Sequence, residues 1–322
     1  MPKLIVHLSR TPAAGAPIRL SDTLNAHTGY RSVCFIESDY KGGQAGIFRG
    51  SAVYLPEDKD TLEHRLLSEC LKQADVLHIH NMISPGLATL LREKHPYIPT
   101  IYHMHSPRRE GPLYVPRGGD LQRSISKILV VAQAHPRFYP EAIPVPNIVP
   151  RPPSPIDRPN DEKVRILYAP MEIRNGRWNG KGTPTLDAAL EELRLDPAVE
   201  LIALVKPAPS HVIEKVRAIS DITIDEVVTG GFHQISIEGL QAGNAVVNGA
   251  DFLSLRTMVG WAGAPPPFIV SNPKNVRENL MRLVRDKDYR REVQSTSVEY
   301  SERHLQPQNL IRRYVEVYDG LS

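Results

Sequence analysis

The stretch Ser220-Asp-Ile-Thr-Ile-Asp-Glu-Val-Val-Thr-Gly-Gly-Phe-His-Gln-Ile-Ser-Ile-Glu-Gly-Leu-Gln-Ala-Gly-Asn-Ala-Val-Val247 decides the fold of this chain. Its short apolar run Ile222 to Ile224 predicts a strand, and a glycine loop follows at Gly230-Gly231. The next segment predicts a helix that carries Glu238, and Val246-Val247 predicts a second buried strand. A strand, a glycine loop, a helix and a strand in this order are typical of a βαβ unit in a parallel sheet.

The same stretch has the features of a phosphate site. Glycine lets a backbone approach a ligand closely, and the start of a helix offers unpaired amides and a positive dipole end. Glu238 lies about two turns inside the helix, where its carboxylate suits the paired hydroxyls of a ribose. Taken alone, the stretch fits an ordinary βα turn with a solvated glutamate equally well.

Length and charge restrict the class of protein. The 322 residues, 41% of them hydrophobic, predict a globular chain of two domains. A formal net charge of +3 suits anionic ligands but is too small to indicate strong nucleic-acid binding.

The cysteines and the apolar segments indicate the cellular compartment in which the protein is expected. Cys34 and Cys70 lie in apolar runs and are expected to be core residues in a reducing, cytoplasmic compartment. The apolar run at the N-terminus is too short for a signal peptide, and no stretch approaches the roughly 18 apolar residues of a membrane span. Membrane contact, if the protein makes any, is expected to be peripheral.

Two series of apolar runs alternate with amphipathic segments, as in parallel α/β sheets. The first series predicts strands at Leu4 to Leu8, Ser32 to Ile36, Val76 to Ile79, Thr100 to Tyr102 and Ile128 to Val131. The second predicts strands at Arg165 to Tyr168, Glu200 to Val205, Ile222 to Ile224, Ala245 to Asn248 and Phe268 to Val270. Between the two series, repeated prolines from Ile143 to Pro159 favour a stiff extended path.

These patterns predict four parts of the chain: an N-terminal domain at 1–145, a proline-rich linker at 146–160, a second domain at 161–305, and a C-terminal helix at 306–322. Ligands bind at the carboxyl ends of the strands in such folds. We therefore expect the site at those ends.

Several motifs agree in order along the chain. The first half contains Asp75-Val-Leu-His-Ile-His-Asn81 and Thr100-Ile-Tyr-His-Met-His-Ser106, and Val145-Pro-Asn-Ile-Val149 lies at the crossover. The second half contains Ile166-Leu-Tyr-Ala-Pro170, Gly180-Lys-Gly-Thr183 and Glu238-Gly-Leu-Gln-Ala-Gly243, and Gln308 to Tyr318 predicts the closing helix.

In this order the motifs resemble those of the GT-B glycosyltransferases, specifically the large retaining family often numbered four, over most of the chain. The resemblance implies an α/β fold of two Rossmann-like, doubly wound parallel-sheet domains that face each other across a cleft. It also implies transfer of a sugar from a nucleotide diphosphate sugar to an acceptor hydroxyl, with retained configuration and without a metal. In that family the first domain holds the acceptor and the second holds the donor nucleotide. The resemblance also implies that the C-terminal helix at 306–322 returns to the first domain.

One position departs from the family pattern. Gly230 stands where a further glutamate normally helps to hold the donor sugar. A subset of the family reads I-x-I-D-Q and then G-x-Y-G, which resembles Ile222-Thr-Ile-Asp-Glu226 followed by Gly230-Gly-Phe-His233. The resemblance therefore implies that Asp225 or Glu226 replaces the missing carboxylate, and that Gly231, Phe232 and His233 contact the donor.

Cations are expected at the donor diphosphate. Lys181 follows a strand and precedes a helix, where a flexible cation meets phosphate oxygens and neutralises the leaving nucleotide. Arg174 and Arg177 are both close enough in sequence to assist, and we favour Arg174 for catalysis and Arg177 for donor binding. The segment is not a Walker motif, which needs four residues between its glycines and Ser or Thr directly after the lysine.

Histidines alternate at two strand ends. His103 and His105 flank Met104 and so point to one face, as zinc ligands sometimes do, and His78 and His80 lie on the neighbouring strand. No carboxylate or cysteine joins them at ligand spacing. Imidazoles that line a sugar-binding cleft explain the pattern more simply, so we expect no metal. The resemblance implies that His105 is the catalytic-centre histidine, whereas His78 is expected to pack within its strand.

Two D-x-D triplets and one further glycine loop are weaker candidates. Asp58-Lys-Asp60 and Asp286-Lys-Asp288 lie in polar charge runs, where a solvated surface is expected rather than a cation site. Gly15, after the first strand, occupies the place of the family's first glycine loop and is a candidate donor contact. A plain βα turn is an equal alternative for Gly15.

A rim segment follows His105. Arg108, Arg109 and Tyr114 are candidates for gripping an anionic acceptor, such as a phosphorylated lipid, a polysaccharide or DNA. A solvated loop is the alternative. Two other functions stay open at this point: a DNA-modifying glycosyltransferase that acts on a hydroxymethylated base, and a catalytically weakened protein that binds sugar nucleotides.

Overall fold

A computed structural model of the chain describes residues 2–38, 51–105, 124–131, 141–149, 162–169, 183–204 and 208–321. The chain forms two compact units. Met1–Pro107, Pro112–Ile148 and Pro307–Ser322 form the first unit. The described residues within Val149–Gln306 form the second.

The first unit contains a seven-stranded sheet. Its strands are β1 (Leu4–Ser9), β2 (Arg31–Ile36), β3 (Val53–Tyr54), β4 (Val76–His80), β5 (Thr100–Met104), β6 (Lys127–Val131) and β7 (Ile143–Val145). All pairings are parallel, in the order β3-β2-β1-β4-β5-β6-β7. This is the Rossmann order with one further strand, and the order reverses between β1 and β4.

The helices described in the first unit are α1 (Ala16–His27), α2 (Leu62–Gln73) and α3 (Pro85–Lys94). The start of α3 follows from its sequence. Ser84 precedes the helix and its Oγ accepts a hydrogen bond from the Leu87 amide at 3.2 Å, while Pro85 supplies a suitable first residue. Helix α2 buries Leu67 and Leu71, which lie one turn apart and pack into the core of this unit.

The second unit contains a five-stranded sheet. Its strands are β8 (Val164–Tyr168), β9 (Val199–Ala203), β10 (Ile222–Ile224), β11 (Ala245–Asn248) and β12 (Ile269–Val270). All pairings are parallel, in the order β12-β11-β10-β8-β9. This is the other common doubly wound order, and its switch point lies between β8 and β10.

The helices described in the second unit are α4 (Thr183–Arg194), α5 (Ser210–Ile219), α6 (Gln234–Gln241), α7 (Phe252–Ala262), α8 (Val276–Arg285) and α9 (Lys287–His304). Helix α6 packs closely on its sheet at Gly239. A Cβ at that position would lie 2.9 Å from Val246 Cγ2 and 3.1 Å from Thr223 Cβ. The glycine therefore sets the distance between the helix and the sheet.

The C-terminal residues belong to the first unit. They form α10 (Pro307–Leu310) and α11 (Arg312–Asp319), joined at Ile311. The Tyr314 hydroxyl donates to the Pro146 carbonyl at 2.8 Å, and Tyr314 and Tyr318 are both buried. The aromatic face of α11 thereby becomes part of the first unit.

Two strands and one division of a helix were not predicted from the sequence. The proline run contains strand β7, which the sequence did not predict because prolines are poor strand formers. Pro144 is tolerated because β7 is an edge strand and pairs on one side only. The single closing helix is observed as two, since the backbone tightens at Ile311, whose carbonyl accepts from the amide of Tyr314 three residues on. Strand β3 was not predicted.

No helix in the described part of the chain combines the length and the apolar character needed to cross a bilayer.

Candidate functional site

Five histidine side chains meet at the carboxyl ends of three neighbouring strands of the first unit. They are His7 on β1, His78 and His80 on β4, His103 on β5, and His105 just after β5. The strand register explains the meeting, because His7 pairs with His78 and His80 pairs with His103. We call these five residues the histidine cluster.

The histidine cluster is buried rather than open. Its members other than His105 are at most 1% exposed, and His105 is half-buried. His80 and His103, which were expected to line a sugar-binding cleft, are instead buried, and the expectation that His78 packs within its strand is confirmed. The aromatic rings pack on one another, with ring centroids 4.0 Å apart for His103 and His105 and 4.3 Å apart for His78 and His80.

Hydrogen bonds join the cluster into two chains. In the first, His7 Nδ1 lies 2.9 Å from His80 Nε2, and His80 Nδ1 lies 2.8 Å from His105 Nε2. In the second, Tyr318 Oη lies 2.7 Å from His78 Nδ1, and His78 Nε2 lies 3.2 Å from His103 Nδ1. Two ring nitrogens, His7 Nε2 and His103 Nε2, are buried with no hydrogen-bond partner among the described residues.

Burial fixes the charge of these imidazoles. Loss of hydration lowers the pKa of His7 and of His105 to about 3. Burial first, and then the neighbouring imidazoles, hold the pKa of His78, His80 and His103 well below the usual value for histidine. All five rings are therefore neutral near pH 7, and each offers one donor and one acceptor nitrogen.

Asn81 holds His105 in place. Its Oδ1 accepts from the His105 amide at 2.8 Å, and its own amide donates to the His103 carbonyl at 2.8 Å. The backbone of Asn81 is left-handed, with φ at +56°. A non-glycine residue in this region costs of order 1 kcal/mol, which the surrounding contacts must offset.

The loop after β1 also has an unusual backbone. Ala13, Ala14 and Gly15 have φ angles of +45°, +54° and +79° in succession, and Gly15 is the N-cap of α1. The Gly15 amide donates to the Pro12 carbonyl at 2.8 Å. Gly15 thus supports a tight turn at the switch point of the first sheet, and its contact with a donor stays a prediction.

In the second unit, two carboxylates shape the loop between β10 and α6. Glu226 is completely buried, and it accepts from the amides of Val228 and Thr229 at 2.8 and 2.7 Å and from the Thr229 hydroxyl at 2.6 Å. Asp225 accepts from the His233 amide at 2.5 Å, His233 Nδ1 at 2.7 Å and the Ser236 hydroxyl at 2.7 Å. These two residues therefore fix both ends of the glycine loop.

The glycine loop itself is tightly packed. Gly230 has a φ of +80°, and a Cβ there would lie 2.6 Å from Asp251 Oδ2. Its carbonyl accepts from the Asp251 amide at 2.9 Å and from the Ser254 hydroxyl at 2.6 Å. The Gly231 amide donates to the Thr229 hydroxyl at 3.2 Å. The loop is thus built in advance of any ligand.

Phe232 and His233 differ in accessibility. Phe232 is 1% exposed and its ring centroid lies 5.3 Å from that of Phe268, so it is a core residue beneath the loop. The His233 side chain is 16% exposed and is held by Asp225. His233 therefore presents one ring edge to solvent at the start of α6.

Glu238 lies in α6 and is the partner of Arg217 in α5. Glu238 Oε2 and Arg217 Nη2 form an ion pair, and the side chains are 11% and 8% exposed. Glu238 Oε1 accepts from Gln234 Nε2 at 2.7 Å. These contacts fix the orientation of the Glu238 carboxylate.

Six predicted site residues lie outside the described residues: Arg108, Arg109, Tyr114, Arg174, Arg177 and Lys181. The D-x-D triplets have local roles. Asp286 Oδ1 accepts from the Tyr289 amide at 2.9 Å as the N-cap of α9, and Asp58 Oδ1 accepts from the Asp60 amide at 3.0 Å.

Three contributors were missed from the sequence. His7 belongs to the histidine cluster, Asn81 was recognised only as part of a motif, and Arg217 pairs with Glu238 across two helices. His7 could have been found by aligning the predicted strands β1 and β4, because these strands are parallel neighbours and their register places His7 beside His78. For Arg217, no sequence signal pointed to its partner.

Comparison with solved structures shows the fold. An alpha-glucosyltransferase in complex with UDP and a 13-mer DNA containing an HMU base matches with a TM-score of 0.68 at 10% identity, covering 99% of this chain and 100% of that one. Sucrose-phosphate synthase from Thermosynechococcus elongatus matches with a TM-score of 0.59 at 14% identity, covering 99% of each chain. A glycosyltransferase from Rickettsia africae matches with a TM-score of 0.61 at 13% identity, covering 99% of this chain and 98% of that one.

These similarities, with the two parallel sheets, confirm the predicted α/β class and the fold of GT-B glycosyltransferases. No protein-family model matches the chain, and no curated protein sequence matches it.

Proposed function

We propose that this protein is a glycosyltransferase that moves a sugar from a nucleotide diphosphate sugar to an acceptor hydroxyl, with retained configuration. The observation that carries the proposal is the glycine loop at the switch point of the second sheet. Asp225 and Glu226 hold this loop with six hydrogen bonds, three to each carboxylate. A loop fixed in this way needs little ordering on binding, and the start of α6 that follows it is suited to an anionic ligand.

The whole-chain similarity supports a nucleotide sugar as that ligand. One matching alpha-glucosyltransferase is in complex with UDP-glucose and DNA, and another is in complex with UDP. We therefore propose a UDP-sugar as the first donor to test. Glu238 would bind the ribose hydroxyls, with its orientation fixed by Arg217 and Gln234.

The departing diphosphate carries the charge that the reaction must stabilise. Lys181 and Arg174 would neutralise it, with Arg177 as a further donor contact, so that no divalent cation is needed there. The bond from the anomeric carbon to the phosphate oxygen breaks, and its electron pair stays on the diphosphate. The acceptor oxygen bonds to the anomeric carbon on the same face, and its proton passes to the departing phosphate oxygen.

His105 would act at the sugar by hydrogen bonding. Its pKa of about 3 keeps the ring neutral, and its Nε2 is engaged by His80, which leaves Nδ1 for a hydroxyl of the donor sugar. His105 is therefore proposed as a group that orients the sugar and not as a general acid. Arg108, Arg109 and Tyr114 would contact the acceptor.

A thermal-shift screen tests donor binding. UDP-, GDP-, ADP- and CMP-linked sugars are compared, and one nucleotide class is expected to raise the unfolding midpoint of the wild-type protein. Lys181→Ala is expected to weaken that shift, and Lys274→Ala, at an exposed position of the same unit, is the control. Absence of any shift with all four classes would contradict the proposal.

A second candidate is a transferase that modifies DNA at a hydroxymethylated base. The observation that favours it is the similarity to an alpha-glucosyltransferase in complex with UDP and a DNA that contains an HMU base. Binding to such a duplex should weaken with salt, and removal of one phosphate-binding side chain should reduce the slope of log K against log salt by about 0.9. Arg108→Ala with Arg109→Ala should reduce the slope, whereas Arg303→Ala, at an exposed arginine, should not.

Two results would decide against these candidates. Binding that does not depend on salt would exclude the DNA acceptor and leave a small or lipid-linked acceptor. Donor binding without turnover on any acceptor would instead favour a weakened sugar-nucleotide-binding protein, the interpretation that Gly230 motivates.

A further inference from the structure

The ring nitrogens of the histidine cluster lie close enough together to bind a metal ion. Among the described residues, one ring nitrogen from each of His80, His103 and His105 lies within 4.8 Å of the other two. His7, His78 and His80 form a second trio of the same kind. Three imidazoles at such separations are a ligand set for a divalent transition metal.

The assignment of ring nitrogens selects the first trio. His103 Nδ1 is bonded to His78, so His103 Nε2 is the nitrogen that remains, and it is buried with no hydrogen-bond partner among the described residues. His80 Nε2 is bonded to His7, and His80 Nδ1 is hydrogen-bonded to His105 Nε2 at 2.8 Å, so a metal between these two ligands would replace their own hydrogen bond and no other. The nitrogens assigned to the metal are therefore His80 Nδ1, His103 Nε2 and His105 Nε2.

The outer nitrogens are already held. His7 is hydrogen-bonded to His80 Nε2, the ring nitrogen that is not assigned to the metal. In the same way His78 is hydrogen-bonded to His103 Nδ1, and His78 is itself hydrogen-bonded to Tyr318. Metal-bound histidines have this arrangement, in which a second layer fixes the tautomer and the orientation of each ring. In the other trio, a metal would have to displace a hydrogen bond from His78 to Tyr318 or to His103, and neither of these residues is a ligand of that trio.

Distance and access also agree. Zinc–nitrogen bonds of about 2.0–2.1 Å in a tetrahedron place the nitrogens about 3.3 Å apart. The observed 2.8 Å between His80 and His105 needs only a small ring adjustment to reach that value. His105 is half-buried whereas His7 and His78 are fully buried, so this trio has a ligand nearer to solvent than any member of the other trio.

We propose that His80, His103 and His105 bind a divalent transition metal, Zn²⁺ by preference, with a solvent-derived fourth ligand. This site goes beyond the proposed function, because the metal lies in the first unit and not among the cations assigned to the donor diphosphate. His105 Nδ1 stays available for a sugar hydroxyl.

The test is metal binding by the full chain without an affinity tag. The wild-type protein is stripped with a chelator, equilibrated with Zn²⁺, desalted and analysed for metal, and about one bound zinc per chain is expected. His105→Gln and His103→Gln should each lose this zinc. His27→Gln, at an exposed histidine of the same unit, should keep it.

Substitution with Co²⁺ gives a second readout. Visible absorption bands of tetrahedral cobalt are expected in the wild-type protein and in His27→Gln, and not in His105→Gln. His105→Gln removes only the half-buried ligand, so its unfolding midpoint without metal should match that of the wild-type protein, and the comparison does not depend on a damaged fold. Equal zinc in the wild-type protein and His105→Gln, or no retained zinc in either, would overturn the proposal.

Discussion

Glu238 of α6 and Arg217 of α5 form an ion pair in which neither side chain is more than 11% exposed. Removal of two charges from water is costly, and their attraction offsets this cost only when the geometry is good and other polar atoms are bonded. Gln234 supplies the additional hydrogen bond to Glu238 at 2.7 Å. The pair thus fixes the carboxylate that we assign to the ribose.

Loss of Arg217 should therefore destabilise the second unit and weaken the donor site. Arg217→Met leaves the Glu238 carboxylate buried without its cation, which typically costs about 3–5 kcal/mol. Urea unfolding measures the change in free energy, and the donor thermal shift should fall with it. Arg277→Met, which breaks an exposed pair with Glu192, is the control and should leave the unfolding midpoint unchanged.

The double variant Arg217→Met with Glu238→Gln distinguishes the stability lost through an unpaired buried charge from the stability lost through altered side-chain packing. It should recover part of the lost stability, because the neutral amide costs less to bury than an unpaired carboxylate. It should not recover donor binding. A loss below about 1 kcal/mol in Arg217→Met would show that the pair is not needed for stability.

Alanine substitutions at Gly230 and Gly260, both in the second unit, can be compared directly, because an added Cβ would clash at Gly230 and not at Gly260. Gly230→Ala places a Cβ 2.6 Å from Asp251 Oδ2 at a φ of +80°, so both stability and donor binding should decrease. Gly260→Ala lies in α7 with no heavy atom within 4 Å, so it should stabilise the protein by about 0.5–1 kcal/mol. Thermal unfolding with and without donor measures both effects. Unchanged donor binding in Gly230→Ala would show that the loop is not the donor site.

The histidine cluster should make stability depend on pH below neutrality. The pKa of His7 is about 3 in the folded state and about 6.5 in an unfolded chain. The unfolded chain therefore takes up the proton first as pH falls. Stability is complete above pH 6.5 and declines as pH falls toward 3, by about 2 kcal/mol at pH 5 for one such histidine.

Urea unfolding at pH 7.5, 6.5 and 5.5 measures this dependence. His105→Gln should reduce the slope, because the pKa of His105 is also about 3, and His27→Gln should leave it unchanged. A free energy of unfolding that stays constant over this range would show that the imidazoles become protonated in the folded protein.

Much of the fold could be predicted from the sequence because apolar runs bounded by turns report buried parallel strands directly. The strand Ile222–Ile224 was predicted with its observed bounds, and β7 was missed because prolines in the run suggested a linker. Pro144 is tolerated because β7 is an edge strand that pairs on one side alone. The position of a strand at the sheet edge is set by the order of the strands and cannot be read from the local sequence.

The candidate site was less predictable because its contacts join distant residues. His7 and His80 are separated by 73 positions and Arg217 and Glu238 by 21. Asp225 and Glu226 were recognised as carboxylates near the loop, but only the structure shows that they bond its amides and hydroxyls. Whether either one replaces the carboxylate missing at Gly230 stays a prediction.

Sugar transfer by the purified protein, followed by NMR with the donor that gives the thermal shift, tests the central claim most directly. We expect a product with the anomeric configuration of the donor, without added Mg²⁺ or Mn²⁺. Lys181→Ala should lower turnover by about 10²–10³-fold, the size expected when one electrostatic partner of the developing charge is removed, and Lys274→Ala should not. No transfer from any bound donor, or equal turnover in Lys181→Ala and the wild-type protein, would contradict the account.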